Sequence, residues 1–437
     1  MTAKLPRTLL HSRKGLPEVP RKMKDSGLQW VGKIPEEWGV DRLQWSLDEV
    51  NVKNDPIRNR FVLSLTNDRG VIPYSEKGNA GNKSKEDLSG YKLAFKDTIV
   101  ANSMNVIIGS VGLSSYDGCV SPVYYVFRAR KGENIRFINY IFQTQEFQRE
   151  LRKYANGILE IRLRISSWAI LKRPVPTPQR DEQDRIVAHL DETCRRIDAL
   201  RERLKREIDR LEDYKKSAIT KAVCHGLDPK AKMKDSGIPW VGKVPEGWKV
   251  NRGKYFLRLL ARPTCEDDGV ITCFRDGEVT LRSNRREEGF TISLKECGYQ
   301  GIEPGDLVVH GMDGFAGSIG ISDSRGKASP VLNVLDTDED KKYLMYYLRS
   351  MAYRDVFTAL STGIRVRSCD LRWKKLADLV YILPPLPEQR EIAAHIDAMV
   401  WRVNAIVEKR KRQLDALDKL KRTVVYDYVT GKREVPR

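Results

Sequence analysis

Two stretches of the chain place apolar residues at intervals of seven. In the first, Leu190, Ile197, Leu204, Leu211 and Ala218 hold one row, with Leu200 and Tyr214 at a second heptad position. In the second, Ile396, Val403, Leu417 and Val424 keep the same phase, Arg410 stands in the row, and Met399, Ile406 and Leu420 support it. That period predicts helices with a coiled-coil seam over residues 181–225 and 387–430. A proline-rich breaker, PVPTP at 174–178 or PPLP at 384–387, precedes each one. Two such helices, each leaving a similar domain, pair most simply with each other in antiparallel fashion.

The stretch before each helix holds short β-type runs, as at 60–65, 98–101, 123–127 and 307–310, separated by Gly, Asn, Ser and Pro turns. Helical runs follow at 137–154 and 341–360, so the domains are predicted to be α+β. The whole arrangement is doubled. MKDSGLQWVGKIPEEW at 23–38 and MKDSGIPWVGKVPEGW at 233–248 agree at twelve of sixteen positions. The segment 104–123 lies over 312–331 at an offset of 208, and EQDRIVAHLD at 182–191 lies over EQREIAAHID at 388–397 at 206. A slowly drifting offset marks a duplication with small loop insertions. The expected order is a basic arm (1–22), a first domain (23–180), a first helix (181–225), a tether (226–232), a second domain (233–386), a second helix (387–430) and a tail (431–437). Antiparallel helices relate their ends by a pseudo-twofold axis. The repeated element is therefore expected at a joint between helix and domain in each half, with Trp30, Trp38, Trp240 and Trp248 as packing anchors.

Charge and chemistry narrow the function. The net charge is +19, which favours an anionic partner such as nucleic acid. The arm carries six Lys/Arg against one Glu. Seven cysteines include no C-x-x-C pair, and no apolar run approaches the roughly 20 residues of a membrane span, so a cytoplasmic protein without a membrane role is expected. No catalytic residue and no metal site is expected. GNAGNKSK at 78–85 lacks the spacing of a phosphate loop, and His189 and His395 occupy equivalent helix positions without a second ligand nearby in sequence.

The tandem MKDSG-x2-WVGK-x-PE-x-W element, the PLPEQREIAAHID helix start, the SMN-x4-GSVG-x5-DGCVSPVYYVFR segment and the VTGKREV tail together resemble the specificity subunits of type I restriction-modification systems. The first helix departs from the pattern at its end, where AVCHGLDPK stands opposite YVTGKREV. The resemblance implies two target recognition domains, each reading one half of a split, asymmetric DNA sequence, with helices that set the spacing. It also implies partners: double-stranded DNA, two methyltransferase (modification) subunits and motor-nuclease (restriction) subunits. S-adenosylmethionine, ATP and Mg would be bound by those partners and no cofactor by this chain. A self-sufficient nuclease or methyltransferase and a coiled-coil adaptor are the alternatives.

The DNA-contact candidates in the first domain are Lys77, Asn79, Asn82, Lys83 and Lys85, then Asn102, Ser103 and Asn105, then Arg162 and Arg164. In the second they are Arg275, Arg282, Asn284, Arg285 and Arg286, then Asp313, Arg365 and Arg367. Arg and Asn can contact base edges with two hydrogen bonds in the major groove, whereas Lys suits phosphate.

Overall fold

The structure is a computed structural model and describes residues 21–67, 69–78, 86–156, 163–285, 297–359 and 371–435. The chain divides into two units. Unit 1 takes in residues 1–204 and 411–437, and unit 2 takes in 205–410. Both are α+β, and each contains half of each long helix, Arg180–His225 and Leu386–Val429. No helix among the described residues is long and apolar enough to cross a membrane.

Each unit is built on a four-stranded antiparallel sheet. In unit 1 the order is Leu47–Glu49, Tyr124–Ala129, Ile99–Asn102, Val111–Leu113. In unit 2 it is Leu257–Leu259, Leu332–Thr337, Leu307–His310, Ile319–Ile321. A helix covers one face, Ile135–Gln143 in unit 1 and Lys341–Tyr353 in unit 2, and burial of Phe137, Ile141 and Phe142, or of Tyr343, Tyr347 and Leu348, closes the core. The single helical run expected at 137–154 is two helices, because Thr144 adopts an extended backbone and its hydroxyl caps the second helix, Gln145–Arg152. The run expected at 341–360 likewise divides into Lys341–Tyr353 and Val356–Ala359.

The breaker at 174–178 is also a strand. Pro174–Thr177 pairs with Gly39–Arg42 in a two-stranded ribbon, whose free edge tolerates the missing proline N–H groups. Its counterpart, Val380–Leu383, pairs with Lys249–Arg252.

Within each unit the long helices run antiparallel. In unit 1, Lys421 Nζ bonds Asp198 at 2.7 Å and Arg201 pairs with Asp418. In unit 2, Arg410 Nε stands 3.0 Å from Glu207 Oε2, an ion pair whose N–H is not aligned on the oxygen, and Lys215 bonds Asn404 at 3.0 Å. The predicted first row is buried in part: Leu190, Ile197, Ile396, Val403, Leu417 and Val424 are all at most 5% exposed, whereas Leu204, Leu211 and Ala218 are half-buried. The second row is inside only in part, with Met399 and Leu420 packed against the two cores. Tyr214 and Ile406, expected inside, are 57% and 43% exposed, while Cys194 and Val407, each four residues after a first-row position, are buried.

The repeated element forms the joint expected of it, once in each unit. In unit 1, Trp38 is buried and donates its indole N–H to Glu182 Oε2 at 2.8 Å, at the start of the first helix. The same element meets the far end of the second helix, where the Tyr426 hydroxyl donates to Trp30 O at 2.9 Å and Val424, Val425, Tyr428 and Val429 join the core. In unit 2, Trp248 donates to Glu388 at the start of the second helix, and Ala222, Val223 and Cys224 from the end of the first share its core. The Glu-Gln pair at each helix start has one job in both units. Gln183 bonds Pro178 O and receives Asn134 N, as Gln389 bonds Pro384 O and receives Asp340 N. Three segments distant in sequence are thereby held together around one buried tryptophan.

Candidate nucleic-acid interface

The same strand–turn–strand occurs in both units and carries four of the ten described candidates, Asn102, Ser103, Asn105 and Asp313. In unit 1, strand Ile99–Asn102 ends in a turn in which Asn102 Oδ1 accepts Met104 N at 3.0 Å. A short 3-10 turn, Val106–Ile108, follows and ends on Gly109 at φ 94° before strand Val111–Leu113. In unit 2, strand Leu307–His310, turn Gly314–Ala316, Gly317 at φ 95° and strand Ile319–Ile321 repeat the order. There His310 Nδ1 accepts both Met312 N at 3.2 Å and Asp313 N at 2.9 Å. A carboxamide in one unit and a neutral imidazole in the other thus terminate the strand in the same way.

Asn105 and Asp313 stand at equivalent positions just before these turns. Asn105 is exposed and, with Lys77, Asn102, Asn67, Tyr74 and Met104, lines a cleft of about 390 Å³. The Lys77 ammonium lies 5.5 Å from the centre of the Tyr74 ring. Ser103 is buried; its N–H donates to Val123 O and its carbonyl accepts Ile165 N, so it belongs to the frame of the cleft. Arg164 is exposed and its backbone pairs both ways with Asn156, at 2.7 and 2.8 Å.

In unit 2 the candidates gather on the hairpin Ile271–Cys273 with Val279–Leu281 and on the facing turn. Arg275, at the hairpin tip, places Nη2 3.1 Å from Asp313 Oδ1. Arg285 pairs with Asp276 at 2.8 Å and Glu278 at 3.1 Å, and lies 4.1 Å over the Phe274 ring. Arg282 Nε donates to Thr272 Oγ1 at 3.3 Å, and Asn284 Nδ2 to Thr280 Oγ1 at 2.8 Å. Burial pushes the His310 imidazole below its ordinary 6.5, Asp313 opposes that shift, and Arg275 adds to it. The ring stays the neutral acceptor that the turn requires.

Asn79, Asn82, Lys83, Lys85, Arg162, Arg286, Arg365 and Arg367 lie outside the described residues. Sequence reasoning missed Tyr91 in the first cleft and Tyr299 in an opening of about 570 Å³ in unit 2, which Arg262, Gln300 and Asn333 also line. The recurrence of Gly-Tyr at 90–91 and 298–299, again at an offset of 208, is the signal that could have found them. Among the described residues, no group of three His, Cys, Asp or Glu could hold a metal ion.

No family model matches the chain. It is 24% identical over 210 residues to the type I restriction enzyme EcoKI specificity subunit of Escherichia coli K12, a match covering 44% of this chain and 44% of that protein. The match thus spans less than half the length of that curated relative. A chain from a structure addressing complex assembly and conformational transition of the type I R-M system superposes with a TM-score of 0.67 at 15% identity, over 92% of this chain and 99% of that one. The HsdS subunit from Thermoanaerobacter tengcongensis gives a TM-score of 0.48 at 15% identity, over 92% and 98%. In sequence over part of its length the chain is similar to a specificity subunit of a type I restriction enzyme, and in fold over nearly all of its length to a chain of the type I R-M system.

Proposed function

We propose that the chain is the non-catalytic DNA-specificity subunit of a cytoplasmic type I restriction-modification complex. Each unit reads one half of a split, asymmetric duplex target. One observation carries this reading: a single repeated frame, closed by Asn102 in one unit and His310 in the other, presents different polar groups at an equivalent place, Asn105 in the first and Asp313 in the second. A repeat that kept one ligand would have no need to differ there, whereas two unlike half-sites demand it. Two methyltransferase subunits and motor-nuclease subunits are the proposed partners and would bring S-adenosylmethionine, ATP and Mg.

Exchanging residues 39–175 for the equivalent region of a related protein, followed by mapping of methylated sites, tests the reading. One half-site should change. A change in both halves, or no sequence preference for the unaltered chain in a randomised duplex pool, refutes it. A coiled-coil adaptor would bind no duplex, and a self-sufficient methyltransferase would modify DNA without partner subunits.

A further inference from the structure

We propose that Arg275 and Asp313 act as one reading unit, with Arg275 contacting a guanine in the half-site of unit 2 and Asp313 holding its guanidinium in place; this rests on the proposed DNA-specificity function. The argument begins with what fixes the arginine. Its backbone sits in a tight turn closed by Phe274 N to Glu278 O at 2.8 Å and Gly277 N to Phe274 O at 2.9 Å. The Arg275 carbonyl packs against Gly317, where an added Cβ would come within 2.7 Å of it, so hairpin tip and facing turn touch through backbone. Asp313 is fixed in turn by the bond from its N–H to His310 Nδ1. A long, mobile side chain is therefore held at its base and at its head.

What remains free is the reading edge. The Arg275 side chain is 69% exposed despite the ion pair, compared with 35% for Arg285, which engages two carboxylates and a ring. Of the five guanidinium donors, one is engaged by Asp313. The others retain the planar fork that matches guanine O6 and N7, and a lysine could not reproduce it. An ion pair this exposed contributes at most about 1 kcal/mol to folding, so its members can be changed without unfolding the unit.

The test uses the full chain and a randomised duplex pool. The wild-type consensus comes first; its absence would defeat the proposed function, and this inference with it. Arg275→Lys keeps the charge but loses the fork. It should relax one position, a guanine in the half-site assigned to unit 2 by domain exchange, and weaken binding to the wild-type duplex about 5- to 150-fold. Asp313→Asn should relax that same position and no other. Replacing that guanine with 7-deazaguanine, which lacks the N7 acceptor, should weaken the wild-type chain and leave Arg275→Lys nearly indifferent, a readout that depends on no variant's fold. An unchanged consensus, relaxation at a base other than guanine, insensitivity of the wild-type chain to 7-deazaguanine, or a uniform loss of affinity across sequences would overturn the proposal, the last by marking Arg275 as a phosphate contact.

Discussion

Trp248 donates its single indole proton to both carboxylate oxygens of Glu388, each 3.1 Å away, across 140 residues of chain. The ring is 2% exposed, and Glu388 is the partner that satisfies its buried donor. Glu388→Ala should lower the stability of unit 2 by about 1–3 kcal/mol, the cost of leaving a buried donor unsatisfied. Glu388→Gln retains a carbonyl acceptor and should cost less. Urea unfolding of the two variants measures the difference, and Glu182→Ala should reproduce it in unit 1, where Trp38 makes the same bond.

Arg410 occupies a row whose other members are apolar. Its side chain and that of Glu207 are each about one-third exposed, at 33% and 29%. Solvent screening limits such a pair to a fraction of 1 kcal/mol or about 1 kcal/mol at most. Arg410→Leu should therefore leave the thermal midpoint unchanged or raise it, because an apolar side chain in that row offsets the lost pair. A clear fall in the midpoint would show that the contact is needed.

Gly317 combines φ 95° with a position where a Cβ would lie 2.7 Å from the Arg275 carbonyl oxygen. Gly305 has φ 88° and open space around it. Both should lose stability on change to Ala because of the left-handed backbone, by roughly 1 kcal/mol. Gly317→Ala should lose more and should also blur the base preference of unit 2. Equal losses, measured by thermal unfolding, would mean that the close approach is relieved without consequence.

His310 should make unit 2 sensitive to acid. Its folded value lies below 6.5 because burial and Arg275 disfavour the cation more than Asp313 favours it, and the buried Cys273 thiol, pushed up to about 12, adds no charge beside it. The unfolded chain therefore takes up the proton first as pH falls. The contribution is present above about 6.5 and is lost as pH falls toward the folded value. His310→Asn restores the acceptor that Asn102 supplies in unit 1 and should flatten this pH dependence. Imidazole titration by NMR and unfolding between pH 5 and 8 check both statements.

The duplication, the buried row of each long helix and the joint around the repeated tryptophans were legible because each rests on strict spacing or near-identity. The second row was legible only in part. Three and four residues along a helix point to adjacent parts of one face, and only the partner helix decides between Ile406 and Val407. The strand at 174–177 was hidden by its prolines, which a ribbon with a free edge tolerates. At the interface, residue types singled out Arg275 and Asp313 separately, but 38 residues separate them in sequence and only folding joins them. His310 was passed over because the demand for its ring nitrogen comes from backbone N–H groups, to which composition is blind.

The joint of unit 1 has a consequence for synthesis. Its core includes Val424, Val425, Tyr428 and Val429, whereas unit 2 ends at residue 410. When the ribosome has added that residue, every part of unit 2 exists. The N-terminal unit, translated first, still lacks the segment that covers Val31, Ile34 and Trp38. The order of completion therefore reverses the order of translation: the first half of the chain to emerge is the last that can close, and its apolar joint stays uncovered in the interval.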